Sequence, residues 1–513
     1  MTSWRDPGAI LLVSCYELGH QPIGIAQPAG FLTRAGYAPA ALDIAVEEFD
    51  EERIRRARMV GISVPMHTAL RLGVQVAESI RTRHPSCHIC FFGLYASLNA
   101  EYLLREGARP LGKEPVPAGS GRVGATTPGE GGCKPVADSV IGGEYEIPLL
   151  RLIETLERGG AGAIEGVSRR GHPAEPLLQR MAAEAFPVPE RRGLPALERY
   201  ARLEQGGEQR LAGYVEASRG CLHRCLHCPI VPVYDGRFFV FPEPVVLEDI
   251  RCQVQSGARH ITFGDPDFLN GPGHSLSIVR AMHAEFPRVT FDCTAKIEHL
   301  LKHRALLPDL KRLGCLFVIS AVESFSDRVL AQLEKGHARA DALAVFAACR
   351  EAGLAVRPSL VPFTPWTTLD DYIELFEIVE AQGLIGAVDP VQYTIRLLVP
   401  PGSALLTRPE VRALLGPLDQ PAFQYRWVHP DPRMDRLQQQ ASRLVEESAG
   451  TSEHTVLFER LRALAYNAAG RHVPDGRPSR RQETTPRMTE SWFCCAEPTA
   501  GHFKHVTNEK EDM

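Results

Sequence analysis

Glu216-Ala-Ser-Arg-Gly-Cys-Leu-His-Arg-Cys-Leu-His-Cys-Pro229 decides how this 513-residue chain is read. It offers Cys221, Cys225 and Cys228 at CxxxCxxC spacing from one tight loop. A cubane of four irons needs an outer ligand on every iron, so three thiolates leave one iron open. An open iron serves electron storage poorly and substrate binding well. Zinc would call for a fourth Cys or His at a second fixed spacing. His223 and His227 lie between the cysteines, too close to complete a tetrahedron without distorting the loop. The expectation is a [4Fe–4S] cluster on the triplet, with zinc or purely structural cysteines as the alternatives.

The length exceeds one ordinary core, so two or three domains are expected. A formal charge of -5, with no basic stripe interleaved with aromatics, argues against a nucleic-acid partner. The 13 cysteines form no framework outside the triplet, which argues against a disulfide-stapled secreted protein. Ile10-Leu-Leu-Val13 is too short for a signal segment and reads as a buried strand. No stretch is long enough to span a bilayer, so no membrane partner is expected. A reducing, cytoplasmic location follows.

Residues 1–158 alternate short apolar runs with helical stretches. Strands are expected at Ala9–Ser14, Pro39–Ile44, Met59–Val64, His88–Gly93 and Asp138–Ile141, with a helix at Thr68–His84. The fold class is α/β, beginning with a doubly wound (Rossmann-like) parallel sheet. A Gly/Pro-rich insertion covers about 110–135, and Gly142-Gly-Glu-Tyr-Glu146 would bring backbone N–H groups near a ligand. Residues 159–210 read as a polar linker. Over 211–430, strands are expected at Tyr214–Ala217, Ile261–Phe263, Val289–Asp292, Leu316–Ser320, Ala355–Leu360 and Gln392–Leu397. Six such units predict a partial (β/α)6 barrel with its site at the carboxyl ends of the strands. Residues 431–513 read as a helical segment and a mostly irregular tail.

The triplet resembles that of the radical S-adenosylmethionine (SAM) enzymes. There the methionine amino and carboxylate groups chelate the open iron, and an electron from the reduced cluster splits a carbon–sulfur bond of the sulfonium. The family usually has an aromatic residue before the third cysteine; here it is His227. The resemblance implies SAM as cosubstrate and a low-potential electron donor such as flavodoxin or ferredoxin. The first domain resembles the cobalamin-binding type that precedes many of these catalytic domains. The Asp-x-His-x-x-Gly loop that supplies a lower cobalt ligand is absent, which leaves cobalamin open, beside a domain that only packs against the barrel.

Gly264-Asp-Pro-Asp267 occupies the place of the family's acidic stretch that holds the SAM ammonium group, which makes Asp265 and Asp267 candidates; the same residues would also cap a helix. Val322-Glu-Ser-Phe325, with Leu333-Glu-Lys-Gly336, resembles the ribose-binding region and nominates Glu323 and Ser324. Arg357 resembles the part that packs around adenine and the methionine carboxylate, with a structural salt bridge as the alternative.

The last forty or so residues are polar and would not fold alone. Within them Ser491-Trp-Phe-Cys-Cys-Ala-Glu-Pro498 carries Cys494 and Cys495, vicinal thiols that suit a soft ion such as trivalent arsenic. A redox pair, an auxiliary metal site with His502 and His505, and two idle thiols are the alternatives. The pattern resembles the CUAEP/CCAEP-tail radical SAM proteins. A member of that group is linked to the biosynthesis of arsinothricin, an arsenic-containing amino acid. The resemblance implies transfer of the 3-amino-3-carboxypropyl group of SAM to arsenite, with Cys494 and Cys495 as catalytic thiols. Cobalamin-dependent methyl transfer to carbon or phosphorus is the alternative.

Overall fold

The computed structural model describes residues 3–105, 135–160, 162–178, 186–448, 454–474 and 485–490. The insertion at 110–135 lies almost wholly outside them, and Cys494 and Cys495 lie outside them altogether.

The first sheet contains β1 (Ile10–Ser14), β2 (Ala40–Asp43), β3 (Met59–Ser63), β4 (His88–Phe92), β5 (Ser139–Ile141) and β6 (Val167–Arg169). Its order is β2-β1-β3-β4-β5-β6, parallel except for the antiparallel edge strand β6. Every residue of β1 and of β3 is buried, as expected of strands covered by helices on both faces. The helix His67–Arg83 supplies one cover, burying Leu70, Val74 and Ala77 at helical spacing. Chain order reverses between β1 and β3. In such sheets ligands bind at that switch, beyond the carboxyl ends of the strands.

The second sheet begins with β7 (Arg202–Gln205) and β8 (Glu208–Val215). A small hairpin follows, β9 (Ser218–Gly220) with β10 (Phe238–Val240), and then come β11 (His260–Phe263), β12 (Thr290–Thr294), β13 (Cys315–Glu323) and β14 (Ala355–Leu360). A second hairpin, β15 (Leu415–Asp419) with β16 (Gln424–Trp427), precedes β17 (Arg487–Met488). The order β14-β13-β12-β11-β8-β7-β17 places five parallel strands side by side in a curled half-barrel.

The sixth strand expected at Gln392–Leu397 does not form. Pro390–Tyr393 is a 3-10 turn, and a single parallel bridge joins Phe363 to Arg396. The outer edge of β14 explains this. Pro358 has no N–H to offer, and the Leu360 N–H two residues on donates to Gln392 Oε1 at 2.8 Å. A side chain thus occupies the edge where a strand would pair.

Two further expectations are corrected. Residues 159–210 are not a free linker: β6 extends one sheet and β7 the other. The barrel core also continues past residue 430, because the helices Pro432–Glu447 and His454–Ala468 bury Met434, Leu437, Phe458 and Leu461 against Phe376 and Tyr393. Such apolar periodicity belongs to the core it completes.

β7 is antiparallel to β8, and β17 is antiparallel to β7. β17 therefore runs with the barrel strands and delivers the following residues to their carboxyl ends. Glu490 accepts a hydrogen bond from the Tyr16 hydroxyl at 2.7 Å, in the loop after β1. Among the described residues, no helix is long and apolar enough to cross a membrane.

Arg191 fastens the two sheets. Its guanidinium donates to both oxygens of the buried Asp249 (2.7 and 2.9 Å), to Gln21 Oε1 and to the Tyr214 carbonyl. Arg191→Ala leaves a buried carboxylate without its counter-charge and is expected to cost about 3 kcal/mol or more in denaturant unfolding, against little change for a control at exposed Arg192.

Candidate active site

The carboxyl ends of both sheets face one cavity of about 340 Å³. The first sheet lines it with the loops after β1 (Glu17, Leu18, His20) and β3 (Pro65, Met66), on either side of the switch point. The barrel lines it with the cysteine loop and the ends of β8, β11, β12, β13 and β14.

The cysteine loop leaves β9 at Gly220. Its φ of +81° and the Arg237 carbonyl, 2.4 Å from where a Cβ would stand, admit only glycine. Two backbone bonds then hold the loop: Cys221 N–H to the Arg237 carbonyl and Leu226 N–H to the Leu333 carbonyl. All three cysteines line the cavity, Cys225 buried and the other two half-buried. Burial pushes the Cys221 thiol up, so a thiolate there calls for a compensating positive charge.

Lys335 supplies a positive charge beside Cys225 and Cys228. Burial disfavours its ammonium, yet Glu323 and these two cysteines together hold it above the usual lysine range. Lys335 Nζ donates to Glu323 Oε1 at 3.2 Å, and His227 Nε2 lies 3.3 Å from the same oxygen. Despite burial, Lys335 and His227 hold the Glu323 carboxyl down at about 2. Glu323 sits where the β13–β14 register shifts, with φ +62°, a conformation that non-glycine residues rarely take. The bulge turns its carboxylate toward the cysteine loop.

The other candidates are placed differently. Asp265 lines the cavity, but its oxygens accept from Ala217 N–H (3.0 Å) and the Ser218 hydroxyl (2.5 Å), tying β11 to the strand that feeds the triplet. Burial raises its carboxyl to about 7. Asp267 lines the cavity beside His223. Ser324 is outside the lining and accepts from Ser326 N–H. Arg357 is also outside it, paired at 2.5 Å with Asp389 and donating to the Pro486 carbonyl. Those partners, rather than the cavity, hold its guanidinium. Sequence reasoning missed Lys335, although it stands in the quoted Leu333–Gly336 stretch. It also missed Glu17 and His299, for which no motif gives a signal, and weighed His223 only as a zinc ligand completing the cysteine set.

Residues 215–379 match the sequence model of the Radical SAM superfamily. This part of the chain is a radical SAM domain. Two relatives are tRNA-2-methylthio-N(6)-dimethylallyladenosine synthases. The Chlorobium limicola protein is 29% identical over 147 residues, covering 27% of this chain and 33% of that protein. The Methylococcus capsulatus protein is 22% identical over 224 residues, covering 41% and 48%. The chain thus spans a third to a half of the length of the curated relatives it matches. Among solved structures, the cobalamin-dependent SAM radical enzyme OxsB, with aqua-cobalamin and SAM bound, aligns with a TM-score of 0.63 at 13% identity, covering 90% of this chain and 71% of that one. The radical SAM methyltransferase TsrM from Kitasatospora setae, with cobalamin and a [4Fe–4S] cluster bound, aligns at 0.55 and 17% identity, covering 73% of each. At these identities the likeness is one of fold.

The radical SAM family uses a [4Fe–4S] cluster and SAM, and the residues here fit both. Three thiols share one cavity wall with a buried cation to offset thiolate charge, and the cavity continues past them. For cobalamin, the switch-point crevice is present. His67 is turned away from it, with Nε2 2.8 Å from the Ala422 carbonyl. His20 does face it, stacked on Tyr214 at 4.6 Å, and burial lowers its imidazole to about 4.

Two outcomes are expected. Glu323→Gln strands the buried Lys335 cation and should lower stability by about 3 kcal/mol in anaerobic chemical denaturation. Glu17, accepting from Gly24 N–H, is raised from 4.5 to about 8, chiefly by burial. A carboxyl raised by folding contributes most below its unfolded value, so stability should decline as pH rises from about 4.5 through about 8. Thermal unfolding of Glu17→Gln across that range should show a flatter profile than the native chain.

Proposed function

We propose that the protein is a radical SAM transferase that moves the 3-amino-3-carboxypropyl group of SAM to trivalent arsenic. The supporting observation is the course of β17, which runs with the barrel strands and leaves Glu490 hydrogen-bonded to Tyr16, the residue before the cavity-lining Glu17. Cys494 follows four residues on, within reach of about 14 Å of extended chain.

In this reading Cys221, Cys225 and Cys228 hold a [4Fe–4S] cluster, which when bound supplies the electron that breaks a carbon–sulfur bond of SAM. Lys335 offsets thiolate charge and orients Glu323, whose carboxylate can accept from sugar hydroxyls at the cavity wall. Asp265 holds the strand ends together. Transfer breaks the sulfur–Cγ bond with one electron, releases 5′-methylthioadenosine and joins the resulting alkyl radical to arsenic. The arsenic-centred radical then gives that electron back, so arsenic passes from +3 to +5 with no net electron consumed. Which bond breaks depends on alignment within the pocket. A flavodoxin or ferredoxin is the proposed electron source.

A second reading, cobalamin-dependent radical methyl transfer, draws on the cavity's position at the switch point of the first sheet, where His20 and Glu17 face the barrel. The released nucleoside separates the two. Anaerobic turnover with arsenite should give 5′-methylthioadenosine and an arsenic-containing amino acid, and Cys494→Ala/Cys495→Ala should abolish the arsenical. S-adenosylhomocysteine together with 5′-deoxyadenosine would establish methyl transfer instead.

A further inference from the structure

Beside the cysteine triplet lies a second set of converging ligands. His223 comes from the cysteine loop, Asp267 from the loop after β11, and His299 from the short helix Ile297–Lys302 after β12. One ligand atom from each lies within 4.8 Å of the other two. His299 Nδ1 is 2.8 Å and His223 Nε2 is 3.6 Å from Asp267 Oδ2.

These contacts are close, yet none has hydrogen-bond alignment. His223 Nε2, His299 Nδ1 and Asp267 Oδ2 are all buried without a hydrogen-bond partner. Asp267 is 2% exposed and His299 6%. Pairing with Asp267 offsets part of the imidazoles' burial, yet among the described residues no donor or acceptor from elsewhere reaches the point where the three atoms converge. The surroundings are ordered as ligand supports usually are. Asp267 Oδ1 accepts from Leu269 N–H at 3.0 Å, which leaves Oδ2 to face the imidazoles. His223 Nδ1 lies 3.7 Å from Glu298 Oε2, and Lys296 Nζ lies 3.1 Å from both. Coordination through Nε2 requires the His223 proton on Nδ1, so Lys296, whose ammonium donates to Nδ1 in the empty trio, must then turn to Glu298 alone.

We propose that His223, Asp267 and His299 form a mononuclear site for a divalent first-row transition ion, distinct from the cysteine triplet. Two imidazoles and one carboxylate suit zinc or iron(II) and leave coordination positions open. His223 and Asp267 line the cavity, so an open position faces it, where an amine, carboxylate or hydroxyl of a bound molecule could ligate. Asp267 then acts as an ion ligand rather than as a direct partner of an ammonium group. The inference is independent of which group the protein transfers.

The test uses the full-length chain with its cluster reconstituted, exposed anaerobically to zinc chloride and desalted. Zinc displaces iron(II) at such sites. Elemental analysis should find about one zinc equivalent that His299→Ala and Asp267→Asn both lose, while iron content and circular dichroism stay unchanged. X-ray absorption at the zinc edge should show that this equivalent has nitrogen and oxygen neighbours only. No retained zinc, zinc undiminished in Asp267→Asn, or sulfur around the lost equivalent would each overturn the proposal. The first of these would mark the trio as a proton-sharing network.

Discussion

Arg219, two residues before the first cysteine, holds the arrangement together. Its buried guanidinium donates to Glu146 Oε1 (3.0 Å), Glu216 Oε2 (3.2 Å) and the Tyr145 hydroxyl (3.3 Å), and lies 3.7 Å from Glu144. It also stacks on Tyr145 and Phe241. Glu144 to Glu146 follow the last parallel strand of the first sheet, whereas Glu216 and Arg219 precede the triplet. A single cation therefore joins the ligand end of one sheet to the cysteine loop of the other. Burying three carboxylates around one arginine is costly, and burial raises Glu144 to about 7 despite the neighbouring charge. The benefit is positional: the cavity has two walls because this contact fixes one against the other.

That cavity is a compromise between charge and apolar surface. Acidic groups outnumber cations along it, and most are satisfied by a backbone N–H, a hydroxyl or a shared cation. Glu17 takes Gly24 N–H, Asp265 takes Ala217 N–H and Ser218, and Glu323 takes Lys335. Where a group is fully satisfied, as Asp265 is, it has become part of the scaffold. Where it is left open, as Asp267 is, chemistry has room to enter.

Much of this was legible in the sequence. The five parallel strands of the first sheet and the five of the barrel announce themselves as short apolar runs between helical stretches, because burial on both faces leaves little choice of residue. The triplet was legible for the same kind of reason, since few structures need three thiols on one loop. The missing sixth strand was not, because the edge of β14 is closed by a Gln392 side chain, an interaction across 32 residues that no local pattern encodes. Arg357 misled for a related reason. Its position on a strand is readable, but its Asp389 partner depends on how the sheet curls. His299 lies in a helix with no motif, and only the fold brings it to His223. The stretch from 159 to 210 looked unstructured because its short strands gain their partners from elsewhere in the chain.

The shortness of β17 has an energetic meaning. Arg487 pairs with Glu204 across 283 residues of chain, so this contact carries a closure entropy that a local pair does not. Only two residues are paired, and Met488 is the one apolar anchor they offer to Leu203, Phe317 and Ile319. Peeling this strand away would break a handful of bonds while both sheets stayed intact, an opening far cheaper than global unfolding. Among the described residues, β17 is therefore the strand whose detachment would disturb the two sheets least.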